Sequence, residues 1–335
     1  MSVLEKEPAE EAHEGHHVEP FWRRYIFSVD HKTIGLQYAF TALFFLLFGF
    51  SLMLLMRWQL AFPGKPMPLP NVNDWLPWPG AGYVMPTLVL IVALWFGVAK
   101  LLTLAENKLL RAGLWIGGLA VGVWFLLGML AGLINQANAP GGIMLPEFYN
   151  QLGAMHGTIM VFLAIVPLAV GAFGNYFVPL QIGAPDMAFP KLNMASYWCY
   201  FVGGVVMLAS FFLPGGAANS GWTSYTPLAT IATVGQTFWL VGMFFLITSS
   251  LLGSMNIIVT IFQLRAPGLT MMRLPLFIWT QLVTSFLLVL AFPPLEAAAF
   301  LQLMDRLAGS SFFMPSGLVV NNQVMEIAGG GNPLL

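Results

Sequence analysis

The sequence predicts an all-α fold, a polytopic bundle of about seven membrane-spanning helices with its N-terminus on the cytoplasmic side. Three observations carry that prediction. Of the 335 residues, 58% are hydrophobic and only 8% charged, with mean hydropathy +0.78; a soluble domain carries about 25% charged residues. Six uncharged runs are each long enough for a spanning helix, which needs about 20 largely apolar residues. Lysine and arginine then collect on one side of the bundle, as the positive-inside rule expects. The same composition excludes a soluble globule and a nucleic-acid binder, which would need a basic patch. With a single cysteine, Cys199, the chain holds no intrachain disulfide and no Cys-based zinc or iron–sulfur site.

Residues 1–20 are acidic and polar and lack an apolar core, so the first span is expected to act as its own anchor. His13, His16 and His17 admit a metal reading, but nothing around them preorganises ligands and a solvated tail accounts for them. Phe21, Trp22 and Tyr25 beside Arg23 and Arg24 read as an interfacial segment that closes a first region, 1–32. The membrane region, 33–306, contains the uncharged runs Thr33–Met56, Trp75–Ala99, Ala112–Pro146, Phe148–Pro185, Leu192–Leu264 and Leu274–Leu295. Leu192–Leu264 is long enough for two helices, broken at Pro214-Gly215-Gly216 and Asn219 to Pro227. Spans are therefore expected at 34–58, 84–105, 112–134, 149–180, 194–213, 232–262 and 273–298. They are helices, since a barrel shows alternating segments of about ten residues.

With the N-terminus inside, the inner side receives Arg23, Arg24, Lys32, Lys100, Lys108, Arg111, Lys191, Arg265 and Arg273, and the outer side only Arg57, Lys65 and Arg306. Trp58, Trp75 and Trp78 fit an outer aromatic belt. Residues 307–335 read as an outer loop that ends without a cap or a charge cluster, and the natural chain is expected to continue beyond it.

Polar groups inside the membrane are the candidates for function. His156 is the one histidine within a span. Its residue type admits two readings, a neutral imidazole hydrogen-bonded to a neighbouring helix or an axial ligand to haem iron. Gly153 and Gly157 remove bulk beside it. Arg57 is either a snorkelling interfacial arginine or a donor to a cofactor's polar substituent at similar depth. A second set lies toward the inner side: Tyr38, Asn175 (19 residues and about 28 Å beyond His156), Asp186, Asn193, Ser196, Ser249, Ser250 and Asn256. Ser249 and Asn256 are seven apart and share a helix face. Singly these residues read as helix–helix hydrogen bonds. Together, beginning at a carboxylate, they read equally well as a proton path.

The strings Tyr149-Asn-Gln-Leu-Gly-Ala-Met-His-Gly-Thr-Ile-Met-Val-Phe162 and Gly171-Ala-Phe-Gly-Asn-Tyr-Phe-Val-Pro-Leu-Gln-Ile-Gly-Ala-Pro-Asp-Met-Ala-Phe-Pro-Lys191 resemble subunit I of the haem–copper oxygen reductases, of the cytochrome c oxidase type. Asp30-His-Lys-Thr-Ile-Gly35, Arg57 with Pro63-Gly64, Gly221-Trp-Thr-Ser-Tyr225 and Asn256 through Arg265-Ala-Pro-Gly268 extend the resemblance over about 28–64 and 147–312. It implies that His156 is one of two axial ligands of a low-spin haem, of haem a type, and that Arg57 meets that haem's ring substituent. Trp222 and Tyr225 would lie near the haem propionates and the binuclear site. Asp186 would be the entrance of the proton-uptake channel, with Asn175, Asn193, Tyr38, Ser196, Ser249, Ser250 and Asn256 along it.

The implied function is the N-terminal part of the catalytic subunit of a proton-pumping terminal oxidase in a bacterial cytoplasmic membrane, reducing oxygen to water with electrons from cytochrome c. Subunits II and III, cytochrome c and the lipid bilayer are the implied partners. Four departures accompany the match. Gln59 stands where the family often has a glutamate that binds calcium or sodium, and Met194 stands where a second asparagine is usual. The spans 84–105 and 112–134 replace a short loop. The sequence ends before the family's usual His-Pro-Glu-Val-Tyr helix, which with later helices supplies the copper ligands, the second low-spin and the high-spin haem ligands and the conducting glutamate. Alone, this chain is expected to be inactive. A quinol oxidase, a nitric-oxide reductase (against which the Asp186 entrance argues) and a haem-free structural membrane protein derived from such a subunit are the alternative readings.

Overall fold

The structure, a computed structural model, describes residues 21–67, 113, 143–213, 215–320, 322–324 and 330–334. Five helices among the described residues are long and apolar enough to cross a membrane: α1 His31–Ala61, α2 Pro146–Ile182, α3 Pro190–Phe212, α4 Val234–Gln263 and α5 Leu276–Leu307. They match five of the expected spans, and the bundle is all-α as predicted. The expected pair at 84–105 and 112–134 lies outside the described residues. A two-stranded ribbon, β1 Val319–Val320 with β2 Gln323–Val324, follows α5.

The helix ends have local causes. Asp30 caps α1, its Oδ1 accepting from the N–H groups of Lys32 and Thr33 at 2.8 and 3.0 Å, so the helix opens three residues before the expected span. Pro146 and Pro190 stand at the starts of α2 and α3, where a missing N–H costs nothing. Gly183 ends α2 in the left-handed conformation, φ +73°. The largest departure is α5, which runs on to Leu307 through Pro293 and Pro294, whereas the expected span stops at 298. In its last turn, the buried Asp305 accepts from the N–H groups of Phe312 and Phe313 and from Ser310. Arg306 donates to the carbonyls of Ala229, Thr230, Ala232 and Thr233, so both charges are spent on fixing outer loops.

α2 contains two prolines away from its start, Pro167 and Pro179, and π-helical stretches over Ile159–Ile165 and Pro167–Gly174. A proline cannot donate to the carbonyl four residues earlier. In both cases a side chain from another helix donates to that carbonyl: Tyr200 Oη to Leu163 O at 2.6 Å, and His31 Nδ1 to Asn175 O at 2.9 Å. The two breaks in α2 are thus the points where α3 and α1 are tied to it.

α3 and α4 run antiparallel, with paired small or polar residues recurring every seven positions. The Cβ that Gly203 lacks would sit 2.9 Å from the carbonyl of Gly242, Ser196 and Ser249 exchange hydrogen bonds, and Asn256 clasps the backbone of Phe189. A seven-residue repeat keeps one seam facing its partner when helices cross at about 20°. This seam carries the inner polar site.

Candidate functional site

Two groups of residues stand apart along the bundle. The outer one centres on His156, half-buried on α2. Its Nδ1 lies 2.8 Å from the carbonyl oxygen of Gly49 on α1. A carbonyl only accepts, so Nδ1 carries the proton, and in the neutral ring the lone pair is on Nε2. A backbone carbonyl fixing one ring nitrogen so that the other can take a metal is the usual arrangement around ligating histidines. Two residues on, Thr158 Oγ1 accepts from Trp239 Nε1 at 3.0 Å and donates to Ala154 O, which ties this turn of α2 to α4.

The surroundings of His156 are kept low. A Cβ on Gly153 would lie 3.2 Å from the Met56 methyl, and one on Gly157 would lie 3.3 Å from the Trp222 ring. The loop between α3 and α4 thus lays Trp222 against the turn that carries His156. Trp222 and Tyr225 remain 51% and 75% exposed. Their loop is held from below, with Gln236 Nε2 donating to Ser224 Oγ at 2.9 Å and Ser224 bonded both ways to Gln302. Arg57 is exposed at the outer end of α1. Among the described residues it has no hydrogen-bond or ion-pair partner. These features fit a haem: one free imidazole nitrogen in a fixed tautomer, and a guanidinium and two aromatic rings left uncovered.

The inner group is closed. Tyr38 Oη lies 2.7 Å from Ser196 Oγ and 3.2 Å from Ser249 Oγ, and each serine donates to the other's carbonyl at 2.7–2.8 Å. This triad joins α1, α3 and α4 and is buried. Tyr38 reaches it because α2 has Gly171 there; a Cβ would stand 2.6 Å from the tyrosine ring. Tyr38, Asn175, Ser196, Ser249 and Ser250 line one cavity, roomy enough for water. Asn175 Nδ2 is bonded to Gly171 O at 2.6 Å, while its Oδ1 has no partner. Asn193 is fully buried with both side-chain polar atoms unpartnered. A buried amide left so costs of the order of 1–3 kcal/mol, a cost that bound water removes.

Asp186 stands in the loop between α2 and α3, half-buried, and does not itself line the cavity. Burial lifts its carboxyl above the usual aspartate range, and Asp30 adds to the rise. The Met187 N–H at 2.6 Å and the backbone and ring of His31 oppose it. Asn256 also stays outside the cavity. It holds the Asp186 loop, accepting from Phe189 N at 2.9 Å and donating to Phe189 O at 3.2 Å. Thr260 does the same for Ala188. Sequence reasoning passed over His31, which is buried and links the Asp186 loop to Asn175. The signal available was an imidazole next to a helix-capping aspartate. It also passed over Thr260, one turn from Asn256, and Glu296, a carboxylate three residues past the start of Pro293-Pro294 within a spanning helix.

Residues 111–330 match the family model described as cytochrome c and quinol oxidase polypeptide I. Over 325 residues, 96% of the chain, it is 34% identical to the alternative cytochrome c oxidase subunit 1 of Bradyrhizobium diazoefficiens, covering 42% of that protein. It is 45% identical over 197 residues to cytochrome c oxidase subunit 1 of Thermostichus vulcanus, 58% of the chain and 35% of that protein. A probable cytochrome c oxidase subunit 1-beta of Nocardia farcinica is 45% identical over 202 residues, 59% of the chain and 34% of that protein. The chain therefore spans about a third to two-fifths of the length of these relatives. The family match takes in His156, Asp186, Trp222 and the α3–α4 seam; Tyr38 and Arg57 precede it.

Proposed function

The chain belongs to the cytochrome c and quinol oxidase polypeptide I family, and from that premise we propose that it forms the low-spin haem-binding and proton-uptake portion of a terminal oxidase's catalytic subunit. The oxidase reduces oxygen to water with electrons from cytochrome c and pumps protons. It sits in a bacterial cytoplasmic membrane with subunits II and III. The relatives, all cytochrome c oxidase subunits, favour cytochrome c over quinol as the donor.

The observation that carries the reading is the fixed tautomer of His156. Gly49 O accepts a hydrogen bond from Nδ1–H, so Nε2 of the neutral ring would be the free donor atom for haem a iron. Arg57 would meet the haem's ring substituent, and Trp222 and Tyr225 would flank its propionates. When bound, the haem supplies one-electron redox chemistry. On the inner side Asp186 takes up protons, and its raised affinity for them follows from its burial. Asn193 and Asn175 hold water with their unpartnered amide atoms. The Tyr38–Ser196–Ser249 triad, with Ser250, passes protons outward, and Asn256 positions the loop that carries Asp186. The high-spin haem and copper are assigned to parts of the subunit beyond this chain.

Reduced-minus-oxidised spectra of the complete oxidase test the ligand assignment. His156→Ala is expected to lose the low-spin haem signal while the protein still inserts. Arg57→Leu is expected to keep the haem and shift its visible band, since that residue tunes the macrocycle without holding iron. A normal low-spin signal in the His156 variant returns that residue to a helix–helix hydrogen bond.

A further inference from the structure

An intramembrane carboxylate is costly and is a functional candidate by default, and the proton path above does not use Glu296. It lies on α5, half-buried, and its Oε1 accepts from Thr248 Oγ1 at 2.7 Å. Thr248 stands at the midpoint of α4, 14 residues from Val234 and 15 from Gln263, so the pair is near the middle of the membrane. Among the described residues no cation is paired with Glu296.

What leads to it is more telling. Gln281, Ser285, Val289 and Glu296 share one face of α5, by the 3.6-residue period. Ser285 is fully buried with an unpartnered hydroxyl, and Gln281 keeps an unpartnered Oε1 beside Gly174 and Ile257. On the facing helix α4, Ser254 is likewise fully buried and unpartnered. The α4–α5 seam therefore offers buried, unpartnered hydroxyls and an amide oxygen between the inner side and Glu296.

We infer that Glu296 is a proton-holding site in the middle of the membrane, loaded along the α4–α5 seam through water held at Gln281, Ser254 and Ser285. The step is a proton transfer only. An O–H bond of a seam water breaks as one forms at the Glu296 carboxyl, and the reverse occurs on discharge. The inference rests on the proposed role of the chain in proton-coupled oxygen reduction but not on the Asp186 path.

Glu296→Gln tests it in the complete oxidase, because the amide oxygen still accepts from Thr248 and a purely structural bond would survive. Turnover is expected to fall roughly tenfold or more with haem spectra unchanged. The infrared redox difference spectrum is expected to lose a carboxylic C=O band that is sensitive to D2O. Full turnover, or a difference spectrum that keeps that band, overturns the proposal. If the Gln variant does not assemble, Thr248→Val decides: the band is expected to shift, and an unshifted band overturns the assignment. Normal turnover in Asp186→Asn together with a loss in Glu296→Gln would sink the Asp186 path alone, and the opposite pair of results would sink Glu296 alone.

Discussion

The outer and inner sites of this bundle are built on opposite plans. Around His156 the chain leaves things open, with a free ring nitrogen, glycines at 153 and 157, and Trp222, Tyr225 and Arg57 uncovered. Around Tyr38 the packing is tight, with three hydroxyls bonded to one another and a cavity walled by all five helices. A large rigid cofactor brings its own packing surface, so its site needs space and one directed bond. A proton path needs the reverse, a sealed space in which leftover donors and acceptors order water. Asn193, buried with both polar atoms unpartnered, belongs to the second plan.

Substitutions that fill or empty the inner site should leave the outer one alone. The largest effect is expected from Gly171→Val, whose added carbons meet the Tyr38 ring. Overpacking of this kind costs about 1–3 kcal/mol, here by pushing α1 from α2 and narrowing the cavity. Thermal unfolding in detergent should register the loss, and turnover should fall with it. Tyr38→Phe removes one hydroxyl and its two bonds, each contributing about 0.6 kcal/mol in a membrane protein, so stability falls by roughly 1 kcal/mol. The serines keep their own pairing. Turnover should drop while the low-spin spectrum stays as it was. A spectral change in either variant would mean that the two sites are coupled through α1, which carries both Tyr38 and the Gly49 carbonyl.

The spans were legible because uncharged runs of spanning length leave little choice of structure. Their ends were less so. Glu296 and the prolines before it close the uncharged run at Leu295, yet α5 continues to Leu307, because neighbouring groups can satisfy what proline frees and a sequence does not show its neighbours. His156, Asp186 and the serines could be picked out by residue type and depth. Asn256 could be placed on the face of Ser249, and it is on that face, but its partner, the Phe189 backbone, depends on the register of α3 against α4. That register was present as Ser196 and Gly203 against Gly242, Ser249 and Asn256 at seven-residue intervals, a pattern visible only once two helices are known to pair. His31 was hidden because its partner, the carbonyl of Asn175, is free only by virtue of Pro179.

The central proposal is that cofactor binding and proton uptake are separable in this chain, and Asp186→Asn in the complete oxidase tests it most directly. Burial raises the Asp186 carboxyl, so the folded state holds that proton to higher pH than the unfolded chain does. Its contribution to stability is therefore greatest at low pH and is lost as pH rises through the folded value. Asparagine removes the proton site and that pH dependence while nearly preserving shape. Proton uptake and turnover, recorded alongside the reduced-minus-oxidised spectrum, should fall roughly tenfold or more with the haem signal unchanged. Uptake at the original rate, or a disturbed low-spin spectrum, would contradict the account.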